Sequence, residues 1–270
     1  MRPCIMPNIA VSMEGVHKSY GTTVQALSGL SLTMFEGEIL GLIGPNGAGK
    51  TTTIKILVGL LEADSGTVKV LGTDISKDHV TYKEHLGYMP EAPQLPDYLT
   101  CSEFLGYIGR IRSLPKETLN ARVHELLKGF DLSSKANETI ATLSKGMRAK
   151  LAYAAATIHN PKLLILDEPM IGIDPAGQHQ LKEQIAQVSQ TGGSVLVSTH
   201  QLDTAERLCT KVAIIHHGRN VATGTLESLR QQVHAGVQQT LEEIFLKLTE
   251  EASLPEPEVP RKRGFFSRRR

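Results

Sequence analysis

Short apolar runs alternate with helical stripes along much of the 270-residue chain. Residues 37–44 form a run that is typical of a strand buried on both faces, and residues 50–61 then carry apolar side chains at helical spacing. Further runs at 162–167, 194–198 and 212–215 predict three more buried strands. Because strands and helices alternate, the pattern predicts an α/β protein with a largely parallel sheet.

Three other segments have a different character. Residues 67–70 alternate like a half-buried strand. Residues 102–157 have mostly helical periodicity and follow a connection that contains Pro90, Pro93 and Pro96. This middle section predicts a helical lobe inserted into the α/β core. Near the end, apolar residues at i, i+3, i+4 and i+7 predict an amphipathic helix over 240–249.

The last residues combine a Pro/Glu stretch at 255–260 with a basic tail at 261–270. We expect this tail to be disordered. The favoured interpretation is a solvated run of charge. Contact with anionic lipid, with Phe265 and Phe266 inserting, and contact with nucleic acid are the alternatives.

Composition limits the function classes. Lys plus Arg number 29 and Asp plus Glu number 28, for a net charge of +1, which argues against a dedicated nucleic-acid binder. The three cysteines lack metal-ligand spacing. No apolar run approaches the roughly 18 residues of a membrane span, and no signal peptide is evident. The sequence therefore predicts a soluble protein, which another chain would have to anchor if it works at a membrane.

The segment Gly44–Thr51 (GPNGAGKT) fits the phosphate-binding pattern G-x-x-x-x-G-K-S/T, between a predicted strand and a predicted helix. Its glycines let backbone N–H groups surround phosphate oxygens, and the helix N-terminus adds a positive dipole end. Lys50 is expected to reach the β- and γ-phosphates, and the Thr51 hydroxyl to bind Mg²⁺. The alternative, a Gly-rich turn that binds nothing, is disfavoured by this context.

A second predicted strand ends in Asp167-Glu168. Asp167 would hold Mg²⁺, directly or through water. Glu168 is placed to accept a proton from an attacking water, which a hydrolase needs and a kinase does not. The alternative is an acidic turn at the end of a strand.

Further motifs resemble those of one family. Leu143–Met147 (LSKGM) resembles the signature motif of the ABC ATPases, particularly of export-type members, and it precedes Asp167 in the family order. Over residues 8–230, the chain resembles the ATP-binding subunit of an ABC transporter. The other positions that carry the resemblance are Tyr20 (adenine-stacking aromatic), Glu91 (Q-loop), Ile173-Asp174-Pro175 (D-loop) and His200 (switch histidine).

The resemblance implies a P-loop NTPase fold with a RecA-like α/β core. A small antiparallel β subdomain would come from about 8–36 and 66–72, and an inserted α-helical subdomain from about 93–160. The ATPase domain would span 8–248. Residues 249–270 would form the Pro/Glu linker and the basic tail.

The resemblance also implies ATP and Mg²⁺ as ligands and a head-to-tail dimer of two ATPase domains, with an identical chain as the expected partner. Glu168, His200 and Glu91 would be catalytic, and Thr51, Asp167 and Glu91 would hold the metal. Residues of one domain and of its partner would together bind the nucleotide. These binding residues are Tyr20, Asn46, Gly47, Ala48, Gly49, Lys50, Thr51, Thr52 and Asp174, with Ser144 and Gly146 acting across the dimer.

Two departures from the family pattern affect these expectations. Glu91 stands where the family has Gln, which puts its role in doubt, and Gln94 is a lower-ranked substitute. In the signature, Lys145 replaces a glycine and Met147 a glutamine. Lys145 either adds a cation near the phosphates of the partner domain or lies on a solvated face.

Three functions follow from these patterns. The favoured one is a subunit that energises integral membrane permease chains, which would dock on the helical lobe. Such a subunit would be cytoplasmic and peripheral on the inner face of the cell membrane. The second is a soluble ABC ATPase that acts on ribosomes, nucleic acid or an assembly machine. The third is a nucleotide-binding scaffold that hardly hydrolyses ATP, which Glu168 and His200 argue against.

Overall fold

The computed structural model describes residues 8–233 and 239–253. Cys4, most of the Pro/Glu linker and the basic tail lie outside these residues. The described chain forms two β-sheets and eight α-helices. The α-helices are α1 (Lys50–Leu57), α2 (Cys101–Ile111), α3 (Lys116–Gly129), α4 (Lys145–Thr157), α5 (Pro175–Gln190), α6 (Leu202–Leu208), α7 (Leu226–Gln232) and α8 (Leu241–Ser253).

The larger sheet has six strands, and it confirms the predicted α/β core. All five residues of β3 and of β7, and all six of β8, are buried, as their apolar runs predict. Five strands are parallel, and the sixth, β10, pairs antiparallel at one edge. In spatial order they are β10 (Arg219–Gly224), β9 (Lys211–His216), β3 (Ile39–Ile43), β8 (Ser194–Thr199), β7 (Leu163–Asp167) and β6 (Leu86–Met89).

The two edge strands were not predicted from the sequence. β6 has only four residues and includes Gly87, where a Cβ would lie 2.3 Å from the carbonyl oxygen of Ala156. Close packing of α4 on β6 therefore requires a glycine, which weakens the strand pattern. The sequence of β10, RNVATG, is half-exposed and lacks a clear apolar alternation.

The smaller sheet is antiparallel and confirms the expected β subdomain. Its order is β2 (Val24–Phe35), β1 (Ile9–Tyr20), β4 (Ser65–Val70) and β5 (Thr73–Asp74). β1 and β2 each have 12 residues, and their pairing shifts register at several points. These register shifts interrupt the regular alternation of buried and exposed side chains along both strands.

The helical lobe lies within the expected segment. It contains α2, α3 and α4, joined in part by short 3₁₀ turns at Ser133–Lys135 and Ile140–Thr142. Thr100 and Glu103 form a capping box that starts α2. Inside the lobe, the rings of Phe130 and Tyr153 pack edge to face with centroids 5.3 Å apart.

The last helix, α8, packs its apolar stripe on the edge of the larger sheet. Leu241, Ile244 and Leu248 are buried in one cluster with residues of α6, α7 and β9. The helix runs to Ser253, across the expected domain boundary between residues 248 and 249. None of the described helices is long and apolar enough to cross a membrane.

Ile244 is the fully buried centre of the α8 contact. We expect Ile244→Ala to lower the free energy of unfolding by about 2–4 kcal/mol, because the variant leaves a cavity in this cluster. Leu246→Ala is the matched control, since Leu246 is on the same helix but 51% exposed. Urea denaturation measures both, and equal losses would contradict the packing of α8 on the core.

Candidate active site

The loop between β3 and α1 is held tightly against neighbouring backbone. A Cβ at Gly44 would lie 2.3 Å from the carbonyl oxygen of Ile215, and one at Gly49 would lie 2.8 Å from that of Ala26. Gly49 also has φ of 109° where α1 begins. Only glycine fits these two positions, so the loop can turn its backbone N–H groups toward a phosphate.

Lys50 crosses this loop. Its Nζ donates hydrogen bonds to the carbonyl oxygens of Gly44, at 2.6 Å, and Pro45, at 3.2 Å. Burial holds the pKa of the Lys50 ammonium below its ordinary value, while the negative charges of Glu168, Asp167 and Glu91 act in the opposite direction. The cation is thus held among acids, where a phosphate group can replace the carbonyls as its partner.

The two acids at the end of β7 are positioned by β8. Ser198 is opposite Asp167 in the parallel ladder, and its Oγ donates to Asp167 Oδ1 at 2.5 Å. The same Oγ, and the carbonyl oxygen of Ser198, accept from the backbone N–H of Glu168 at 3.1 and 3.2 Å. Ser198 therefore fixes both acids, a role that the sequence analysis missed. The available signal was a polar residue late in an otherwise apolar strand.

Glu168 and His200 contact each other. Glu168 Oε1 lies 2.9 Å from His200 Nδ1. The Glu168 side chain is only 9% exposed, whereas that of His200 is 48% exposed. Glu168 has φ of 49°, in the left-handed region that is unusual for a residue with a side chain. The turn after β7 thus directs the carboxylate toward the phosphate loop, with the imidazole on its outer side.

One cavity of about 460 Å³ gathers most of the predicted site residues. Tyr20 is at its rim, 43% exposed, with its hydroxyl 3.4 Å from Thr52 Oγ1. Thr51 lines the cavity, and Asp167 is buried beside it. The other predicted residues among those lining the cavity are Asn46, Gly47, Ala48, Gly49, Lys50, Thr52, Glu91, Glu168 and His200.

Glu91 and Gln94 lie in different places. Glu91 follows the end of β6 and lines this cavity. Gln94 lines a separate groove of about 870 Å³ between the core and the helical lobe. The position that carries the unexpected carboxylate is thus the one that faces the phosphate loop.

Besides the buried Asp167, three predicted residues lie outside the described lining of the cavity. Ser144 is the N-cap of α4, and its Oγ accepts from the N–H of Met147 at 3.3 Å. Gly146 is in the first turn of the same helix. Asp174 is the N-cap of α5 and accepts from the N–H of Gly177 at 2.7 Å. A single chain therefore does not bring these residues to its own phosphate loop.

The signature turn at 144–146 rests instead on the segment between β7 and α5. A Cβ at Gly172 would lie 2.6 Å from Lys145 Cε, so the exposed Lys145 stem packs on the Gly172 backbone. A Cβ at Gly146 would be 3.6 Å from the carbonyl oxygen of Gly172. The Gln178 side chain donates to the carbonyl oxygens of Ile173 and Met170. These contacts link the signature turn to the chain that continues from Glu168.

We expect Lys50→Ala to abolish measurable ATP binding, because the variant removes the buried cation of the phosphate loop. Isothermal titration with ATP measures the loss. Lys55→Ala is the matched control, since Lys55 is exposed on the same helix, and it should bind like the parent. Unchanged ATP affinity of Lys50→Ala would contradict the placement of the phosphates here.

Comparisons with known proteins agree with this geometry. The family model described as ABC transporter matches residues 27–171, just over half of the chain. The ABC-type transporter ATP-binding protein EcsA of Bacillus subtilis (strain 168) is 38% identical over 226 residues, which cover 83% of this chain and 91% of that protein. The Nod factor export ATP-binding protein I of Rhizobium sp. (strain N33) is 35% identical over 86% of this chain and 76% of that protein.

Solved structures of similar proteins have the same fold. A solved structure described as an ATP binding subunit of an ABC transporter superposes with a TM-score of 0.83 and 34% identity. The match covers 89% of this chain and 99% of that one. The phosphate loop, the acids after β7 and these similarities lead to one conclusion: the chain belongs to the ABC transporter ATP-binding family, and it is an ATP-binding and ATP-hydrolysing subunit that energises a membrane transporter.

Proposed function

We propose that two copies of this chain close head to tail around ATP and drive an export-type permease. One observation carries the proposal: the phosphate loop, Glu91 and Glu168 line one cavity, whereas Ser144 and Gly146 are elsewhere on the same chain. In a two-copy arrangement, the signature turn of each copy would complete the cavity of the other. ATP would then hold the two copies together, and hydrolysis would release them.

The start of α4 suits this role. The helix has 13 residues, and its first turn contains no acidic residue. Its free N–H groups and positive dipole end favour an anion such as the γ-phosphate of the other copy. Lys145 adds a cation within this turn, which supports the first of the two roles expected for it.

The residues near the phosphate loop fit Mg²⁺, which prefers oxygen ligands and keeps several waters and substrate phosphates. Thr51, Asp167 and Glu91 would supply hydroxyl and carboxylate oxygens. Bound Mg²⁺ would neutralise charge on the phosphates. The described residues contain no cluster of three His, Cys, Asp or Glu side chains able to hold a metal alone. This absence agrees with a site in which ATP supplies part of the ligand set.

Glu168 is the proposed general base. It would take a proton from the water that attacks the γ-phosphorus, and the contact with His200 would orient its carboxylate. His200 would also contact the γ-phosphate, since it lines the same cavity as Lys50. Ser198 would hold both acids in place. Its hydroxyl donates to the Asp167 carboxylate and accepts from the backbone N–H of Glu168.

We expect Glu168→Gln to lower turnover at least about a hundredfold, because an amide cannot accept the proton. The variant should still bind ATP and should form a stable dimer with it. Single-turnover hydrolysis and light scattering measure the two effects. Hydrolysis as fast as in the parent would show that another group is the base.

The groove between the core and the helical lobe is the proposed docking surface for the permease. Its walls carry Phe104, Ile108 and Ile111, the last of which is 59% exposed. Burial lowers the pKa of His159 in this groove to about 4, so its ring is neutral at pH 7. Its Nε2 lies 3.1 Å from the carbonyl oxygen of Leu86, while its buried Nδ1 has no hydrogen-bond partner among the described residues. An apolar segment would fit such a wall.

The same stretch of chain links this groove to the ATP cavity. Glu91 lines the cavity, and Gln94, three residues later, lines the groove. Movement of this loop on ATP binding would therefore reach a docked permease. Export is supported by the names of relatives: the Nod factor export protein, and a linearmycin resistance ATP-binding protein of Bacillus subtilis (strain 168) that is 37% identical over 80% of this chain.

The subunit would then be cytoplasmic and held at the inner face of the cell membrane by the permease. Residues 8–248 would form the ATPase domain, with α8 continuing a short way past it. For residues 261–270, a solvated run of charge stays the favoured prediction, and contact with anionic lipid stays the alternative.

We expect Ile111→Asp to reduce the co-purification of an integral membrane protein from native membranes in mild detergent at least about tenfold. A charge placed in the apolar wall would oppose docking. Ile9→Asp is the matched control, because Ile9 is similarly exposed on β1 and should leave the yield unchanged. Equal yields from both variants would move the docking surface away from the groove.

A further inference from the structure

A second polar pocket, of about 470 Å³, lies behind His200 between α5, α6 and the start of α8. His200 lines both this pocket and the ATP cavity. A second chain that covers the ATP cavity would therefore also lie beside this pocket.

Four charged side chains define this mixed-charge pocket: Lys182, Asp203, Arg207 and Glu242. Across residues 8–233 and 239–253, none of the four forms a side-chain hydrogen bond or ion pair. Neighbouring charges do find partners, since Glu206 pairs with Arg230. The pocket thus presents two cations and two anions that the single chain leaves unpaired.

The position of the pocket in the proposed dimer suggests what these four charges could contact. Residues 169–174 continue the chain from Glu168, at the ATP cavity. Gly172 in this segment packs against Lys145 of the signature turn. In the proposed dimer, the ATP cavity of each copy faces the signature turn of the other copy. The two-fold axis then passes near the segment that joins them.

Gln178 ties the pocket to this segment. Its Nε2 lies 3.1 Å from the carbonyl oxygen of Ile173, and its side chain also lines the pocket. The pockets of two copies would therefore lie close together at the axis. A surface that meets its own copy across a two-fold axis must be complementary to itself, and a patch with both charge signs meets this condition.

We propose that the mixed-charge pocket is a self-complementary contact between two copies of this chain. Lys182 and Arg207 of each copy meet Asp203 and Glu242 of the other when ATP closes the dimer. This inference rests on the proposed function, because it requires the head-to-tail pair.

The contact gives α8 a part in the ATP cycle. Glu242 is in the first turn of α8, and the N–H of Leu241 donates to Glu206 Oε2 of α6 at 3.1 Å. α6 begins two residues after His200. Closure of the dimer would therefore engage the C-terminal helix, which lies beyond the part of the chain that the family model matches.

The test uses two charge variants of the full chain in the Glu168→Gln background, with ATP at low salt. The negative variant combines Lys182→Glu with Arg207→Glu, and the positive variant combines Asp203→Lys with Glu242→Lys. Each variant alone should have a dimer dissociation constant at least about tenfold above the parent, because like charges meet at the axis. A mixture of the two should form heterodimers within about threefold of the parent. Sedimentation with a fluorescent label on one variant measures both.

The control for charge is Lys55→Glu with Lys69→Glu, an equal change at two exposed positions on α1 and β4, which should dimerise like the parent. Thermal melts verify that every variant is folded. Parent-like dimers from the negative and positive variants would overturn this contact while leaving the proposed function intact. Failure of the mixture to form heterodimers would also overturn it. A parent that stays monomeric with ATP would overturn the proposed function and this contact together.

Discussion

The hydrogen-bond ladder that places β8 between β3 and β7 determines where the groups of the ATP cavity lie. Ser198 pairs with Leu42 on one side and with Asp167 on the other. The three parallel strands therefore end at one level. The phosphate loop begins two residues past Leu42, and Glu168 and His200 follow the ends of the other two strands. A slip of one residue in either pairing would turn these side chains to the opposite face of the sheet.

This arrangement concentrates charge in a poorly solvated place. Lys50, Asp167 and Glu168 are all buried, and their charges partly compensate one another. The ring of His200 and the hydroxyl of Ser198 satisfy the two carboxylates. Such a site suits an anionic substrate that binds together with a cation. The Lys50 ammonium can pair with the anion, and the carboxylates can pair with the cation. The first turn of α4 is the complementary half, presented on another face of the molecule.

The helical lobe and the C-terminal helix are each connected to this sheet close to the ATP cavity. β6, the strand next to β7, leads into Glu91 and then into the connection that enters the helical lobe. At the other end of the cavity, His200 precedes α6, on which α8 packs. The lobe and the C-terminal helix are thus each one short segment away from a residue that faces the phosphates. Small shifts at the cavity can reach both, because packed elements move as rigid units.

The sequence by itself determined the central strands, the phosphate loop, the acids after β7 and the amphipathic stripe of α8. Each of these depends on local spacing: a wholly buried strand requires a continuous apolar run, and a loop around phosphate requires glycines before Lys50. The edge strand β6 was missed because Gly87 is required by packing against α4 rather than by the strand itself. The edge strand β10 was missed because its half-exposed sequence lacks a clear apolar alternation.

Only the tertiary structure decided which distant residues meet. It showed that Ser198 fixes both acids, that Glu91 and not Gln94 faces the phosphate loop, and that Lys145 packs on Gly172. It also separated Ser144 from the cavity of its own chain. The physical reason is that these contacts join residues far apart in the chain. Strand pairing and helix packing bring such residues together, and no local pattern encodes which of them become neighbours.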